Sequence, residues 1–216
     1  IKKNELNKKK ACLALTSSPI SNPGLSSREE SIKATQKSSR LSDNEMSFVV
    51  EEQKRIQQRM CKLIPLLASH FESVVIRVHP FESKKVYEDC AKNFKNIIFS
   101  QSQDIKMDLD NCSTVLHGYS TAGIEAYLSG KETFVTEISD NLPKFLEKYF
   151  NVISYGSQII SESNIDKILL EDFSTKSNFN SIKTKLNSFY GINKTAEEGI
   201  EIIKNVIINQ TKKKNI

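Results

Sequence analysis

The stretch "VVIRVHPFES", residues 74–83, opens as a buried strand and stops on a proline. Val74, Val75 and Ile76 lead into Arg77, Val78, His79 and Pro80. Proline cannot donate a ladder hydrogen bond, so the strand ends there and a loop begins. Two residues apart on a strand, Arg77 and His79 are expected on one side of it.

Working outward, apolar runs and helical spacings alternate. Strands are expected at 73–79, 96–100, 113–117 and 132–136, with helices at 83–94 (Val86, Cys90 and Phe94 inward), around 104–109 and at 121–129. A helix at 142–149 and a short strand "NVISY" at 151–155 follow, then helices at 162–170, 176–190 and 194–210. Upstream, "ACLALT" (11–16) reads as a strand, and residues 17–46, dense in Ser, Asn, Pro and Gly, read as a long loop. Val49, Ile56, Met60, Leu63, Ile64, Leu67 and Phe71 mark a long helix. Pro65 lies within it, predicting a kink or break near Leu63.

Strands alternating with helices predict an α/β fold. The expected architecture is a Rossmann-like parallel sheet with helices on both faces and a helical C-terminal extension. The corresponding division is a basic linker or tail at 1–10 and a nucleotide-binding domain at 11–158 containing the loop 17–46. Helices at 159–210 would pack on that domain, followed by a basic tail at 211–216.

The chain has 216 residues, 38% apolar and 26% charged, with a net charge of +5. Part of the positive excess sits in the terminal lysine runs "IKKNELNKKK" and "TKKKNI", which read as solvated tails, so nothing here calls for nucleic acid. Cys12, Cys61, Cys90 and Cys112 form no CxxC, and His70, His79 and His117 are equally scattered, so no metal site is expected. Buried free thiols in a reducing cytosol are the favoured reading. The apolar run Ala11–Leu15 is too short for a signal peptide, and no run approaches a membrane span.

In parallel sheets ligands bind outside the carboxyl ends of the strands, where Arg77 and His79 lie. A second constellation, "TVLHGYSTAGIEAYLSGKETFV" (114–135), ends a strand at His117 and allows a tight turn at Gly118. Ser120 and Thr121 stand at a helix start, where free N–H groups and the helix dipole suit an anion. Glu125, four residues after Thr121, shares its helical face and suits ribose hydroxyls better than phosphate. Each residue also has an ordinary alternative. Ser120 can be a plain N-cap, Glu125 a solvated helix residue, His79 a structural histidine and Arg77 an ion-pair partner.

"IRVHPFES" followed by "GYSTAGIEAYLSGKETF" resembles the carboxyl-terminal nucleotide-binding half of GT-B-fold glycosyltransferases that make bacterial surface carbohydrates. The nearest group is the surface carbohydrate biosynthesis proteins. Capsule Kdo transferases, polysialyltransferases and CDP-glycerol glycerophosphotransferases share the signature more distantly. The match covers roughly residues 47–136, and Val78 stands where the family commonly has proline. The resemblance implies that His79 contacts the donor phosphate, Ser120 and Thr121 bind phosphate at the helix start, and Glu125 holds the nucleoside sugar. Arg77 matches the family's arginine, and Gly130–Lys131 the turn into the next strand.

The implied substrates are a CMP- or UDP-linked nucleotide sugar and a carbohydrate or lipid-linked acceptor, with no cofactor. The implied location is cytoplasmic, with peripheral contact at the inner face of the plasma membrane left open. A GT-B enzyme has two such domains, so the start on Ile1 reads as a chain cut at the inter-domain connection, the acceptor-side domain lying outside it. No catalytic residue is assigned; the loop 17–46, Glu45 and Glu82 are the candidates for one. The alternatives are an enzyme like UDP-N-acetylglucosamine 2-epimerase, on the same fold, and a non-catalytic module binding a nucleotide or sugar phosphate.

Overall fold

The structure is a computed structural model that describes residues 9–170 apart from Tyr155. Its strands are β1 (Lys9–Leu15), β2 (Phe71–Arg77), β3 (Ile97–Phe99), β4 (Thr114–His117), β5 (Glu132–Thr136) and β6 (Gln158–Ile160). They form one sheet in the order β3-β2-β1-β4-β5-β6, every pair parallel. The protein is therefore an α/β protein with a Rossmann-like sheet. β1 is central, with Cys12 beside both Val74 and Thr114, and Cys12 through Leu15 are all buried. A parallel strand covered on both faces needs such an unbroken apolar run.

The helices are α1 (Arg28–Ser39), α2 (Asp43–His70), α3 (Lys85–Ala91), α4 (Ile105–Asp110), α5 (Ala122–Leu128), α6 (Lys144–Ile153) and α7 (Ile165–Leu170). Leu13, Leu15 and Val115 pack with Leu109, Cys112 and Ala126 into one core cluster, joining the sheet to the ends of α4 and to α5. None of the described helices is long and apolar enough to cross a membrane.

Several expectations are corrected. The segment 17–46 is not one long loop, because α1 occupies 28–39 and α2 begins at Asp43. Each helix starts with a capping box, Ser27 with Glu30 and Ser42 with Glu45. The caps satisfy orphan N–H groups that the polar α1 sequence would otherwise leave to water. α1 buries no residue of its own, so it carries no apolar stripe to read.

α2 runs 28 residues, about 42 Å at the usual rise, without a break at Pro65. A proline inside a helix costs about 3 kcal/mol. Leu63, Ile64 and Leu67 around it are at most 1% exposed, and burying each is worth roughly 1.5–3 kcal/mol, which outweighs that cost.

Two further differences have packing causes. α3 turns Tyr87 and Ala91 inward, while Val86 and Phe94 are 37% exposed. "NVISY" is not a strand: α6 continues to Ile153, burying Leu146, Phe150 and Ile153 at helical spacing, and the edge strand comes later at Gln158–Ile160. The helices expected at 176–190 and 194–210, with the carboxyl-terminal tail and residues 1–8 of the amino-terminal one, fall outside the described residues, while Lys9 and Lys10 of the expected tail already belong to β1.

Candidate functional site

β1 pairs with β2 on one side and β4 on the other, so strand order reverses at β1. Thr16 N–H extends the ladder to Arg77 O (3.2 Å) and Gly118 N–H to Leu15 O (3.0 Å). Beyond these bonds the loops after β1, β2 and β4 diverge and leave a crevice at the carboxyl edge.

The β2 side of this edge is built around a buried carboxylate. Glu82, 7% exposed, accepts from Thr16 Oγ1 (2.5 Å) and from the Ser18 N–H. Thr16 Oγ1 in turn accepts the His79 N–H at 3.0 Å. Burial raises the Glu82 pKa, and the bonds from Thr16, Ser18 and Tyr87 oppose the rise. Pro23 pairs with Glu82 in an antiparallel bridge, and Gly24 lies so close that a Cβ there would meet the Glu82 carbonyl oxygen at 2.5 Å.

His79 is partly buried in the turn after β2, past the strand's last residue. Its Nδ1 accepts the Phe81 N–H at 3.3 Å, which places the ring proton on Nε2. Burial holds its pKa below the ordinary histidine value, so at neutral pH His79 offers an uncharged N–H donor.

Arg77 is engaged elsewhere. Its Nη1 donates to Asp108 Oδ2 (2.6 Å) and Ser102 O (2.9 Å), and its Nη2 to Gln103 O (2.9 Å). Asp108 also accepts from Ser100 Oγ at 2.7 Å. The guanidinium thus clamps the 100–104 turn and α4 to the end of β2, and its charge is already paired. Arg77 is thus found in the ion-pair role that was its ordinary alternative.

On the β4 side, His117 is fully buried, and burial lowers its pKa to about 3. Its Nε2 lies 2.8 Å from Ser157 Oγ. Gly118 packs against α2, where a Cβ would meet Ile56 at 2.9 Å. Tyr119 holds a left-handed φ of 62°, unusual for a bulky residue. Its hydroxyl donates to Thr136 O (2.8 Å) and its ring meets Phe150 edge-on with centroids 4.5 Å apart.

Ser120, one residue ahead of the N-cap Thr121, accepts the Ala122 N–H on its Oγ at 3.3 Å, which leaves its hydroxyl proton as a donor. The Gly123 and Ile124 N–H groups are satisfied by Ser120 O and Thr121 O. Thr121 and Glu125 are exposed. The expected phosphate contacts therefore narrow to the Ser120 hydroxyl and the backbone before Ala122.

A cavity of about 390 Å³ opens at the reversal point, between the β1 and β4 loops, α1, α2 and α6. Ser17, Gln53, Gly118, Tyr119, Tyr149 and Phe150 are among its walls. Of the six residues expected from the sequence, Gly118 lines it. Ser18 Oγ, in the same β1 loop, is buried without a hydrogen-bond partner. Such an orphan is satisfied by a bound ligand or water. Thr16 and Tyr119 were not among the expected site residues, and Glu82, a candidate for a catalytic role, is instead held by Thr16 and Ser18 as a bracket between two loops. The visible signals were the hydroxyl run "TSS" directly after β1 and the aromatic of "GYS" directly after β4.

Among the described residues no group of His, Cys, Asp and Glu could hold a metal ion. Compared with protein-family models, with curated proteins and with solved structures, the chain matches none.

Proposed function

We propose that the crevice at the carboxyl ends of β1, β2 and β4 binds a nucleotide sugar. On this reading the chain is the donor-binding part of a glycosyltransferase of bacterial surface polysaccharide biosynthesis. The observation that carries it is the reversal of strand order at β1, with a ligand-sized cavity opening where the β1 and β4 loops part.

The aromatic and apolar walls of that cavity suit a nucleobase, and its polar rim at Ser17 and Gln53 suits the sugar hydroxyls. His79 Nε2–H and the Ser120 hydroxyl are the donors for the phosphate. As the glycosidic bond breaks, charge builds on the leaving phosphate, and donors fixed before the reaction stabilise it. His79 becomes cationic as that charge approaches. Glu125 keeps the role of ribose acceptor. A nucleotide-sugar substrate implies a cytoplasmic location, next to the inner face of the plasma membrane where the acceptor is lipid-linked.

The test is thermal unfolding of the full chain with CMP, UDP and CDP. A ligand at a hundredfold its Kd adds about 2.7 kcal/mol of stability, a shift of several degrees. One of the three is expected to raise the Tm, and His79→Ala to abolish the rise. No shift with any of them overturns the reading. Binding without transfer to any acceptor would point to a non-catalytic module, and sugar interconversion without an acceptor to an epimerase.

A further inference from the structure

Two cavities lie side by side along the amino-terminal half of α2. The larger, about 860 Å³, lies between α2 and the 137–142 loop at the carboxyl end of β5. The smaller, about 410 Å³, lies between α1 and α2. Ser47 and Glu51 line both, so the two adjoin at this turn of α2, and together they are called the trough. Neither lining includes Gly118 or Tyr119, which sets the trough apart from the cavity assigned to the nucleotide.

The floor of the larger cavity is pre-organised. Glu52, 1% exposed, accepts from Ser139 N (3.0 Å) and Ser139 Oγ (2.6 Å), which ties the loop to the helix. Arg55 Nη1 bonds both Glu52 (3.2 Å) and Ser139 Oγ (3.1 Å), and Arg59 Nη1 donates to Glu137 O at 2.6 Å. A loop held this way loses little freedom on binding.

The wall chemistry selects the ligand. Both arginines of this cavity are already bonded to protein oxygens, while three acidic residues, Glu51, Glu137 and Asp140, are among those that line it. That balance disfavours phosphates and acidic polymers. Carboxylates and the Asn141 amide instead accept and donate as sugar hydroxyls require. Phe48, 48% exposed, offers a flat apolar face of the kind the C–H side of a pyranose covers. Each cavity is of ligand size by itself, so joined they fit a chain rather than a single ring.

We propose that this trough binds a neutral oligosaccharide. It lies on the donor-binding part itself, apart from the acceptor-side domain, and stands without the nucleotide reading. The probes are maltotetraose and chitotetraose, compared with glucose, N-acetylglucosamine and α2,8-linked tetrasialic acid, by calorimetry on the full chain. At least one neutral tetramer is expected to bind about tenfold or more tighter than its monosaccharide, since only the tetramer engages both cavities. Phe48→Ala and Asn141→Ala, both at exposed positions, are expected to weaken it about tenfold each while leaving the Tm and the nucleotide-induced shift intact.

Failure of both neutral tetramers to bind, tighter binding of tetrasialic acid, or indifference to both substitutions overturns the proposal. The two readings fail separately. Loss of tetramer binding beside an intact nucleotide shift removes the trough alone. Tetramer binding without any nucleotide shift removes the donor reading and leaves a glycan-binding trough.

Discussion

Thr16 Oγ1 donates to Glu82 at 2.5 Å while accepting the backbone N–H of His79 at 3.0 Å. One hydroxyl thereby joins the loops that follow β1 and β2, and its partner is a carboxyl group buried at the carboxyl edge of the sheet. The position of the His79 backbone depends on that pair.

Glu82 makes stability depend on pH in a defined direction. Burial raises its pKa in the folded state above the unfolded value, so the folded protein binds the extra proton. Stability from this group is fully present below about pH 4.5 and is lost as pH rises through the folded pKa. The Tm of the wild type minus that of Glu82→Gln is expected to increase as pH falls from about 7 to 5. Thermal melts of both proteins across that range check it, and a constant difference would refute the assignment.

His79 should couple nucleotide binding to pH. Its pKa in the free protein lies below the ordinary histidine value, and a bound phosphate raises it. Affinity for the nucleotide is therefore expected to strengthen as pH falls from the bound-state pKa toward the free-state one. Calorimetric titrations between pH 5.5 and 8 should show this in the wild type and a flat profile in His79→Gln.

Arg77 and His79, adjacent in the motif, should behave differently when replaced. Arg77→Ala leaves Asp108, whose side chain is 11% exposed, without its cation, and should cost about 1–3 kcal/mol in denaturant unfolding. Nucleotide affinity measured below the melting range should stay within about threefold of the wild type. A loss of binding equal to that of His79→Ala would return Arg77 to the phosphate site.

Gly123 is set by its neighbour rather than by its backbone. A Cβ there would lie 2.6 Å from the His117 ring, which is fully buried and bonded to Ser157. Gly123→Ala is expected to cost about 1–3 kcal/mol by overpacking, measured by denaturant unfolding.

Much of the sheet was legible because central parallel strands favour apolar runs, and "ACLAL" and "VVI" are such runs, while "STVLH" carries a shorter one, Val115–Leu116, between polar ends. The strand expected at 132–136 coincides with β5. α1 was missed because its support is two polar caps and a neighbouring helix, not an apolar face, although Ser27–Glu30 and Ser42–Glu45 both carry the S-x-x-E spacing. The end of α6 was misread because a short apolar run such as "NVISY" fits either period until its packing partners are known.

By itself the sequence determined the alternation of strands and helices, the proline stop after β2 and the turn at Gly118, since these follow from local chemistry within a few residues. Tertiary structure alone decided which polar groups are free. Asp108, 31 positions away, claims Arg77, and Thr16, 66 positions before Glu82, turns a loop glutamate into a buried bracket. Hydrogen-bond partners brought together by folding compete for the same donors that a ligand would use, and no local pattern records which partner wins.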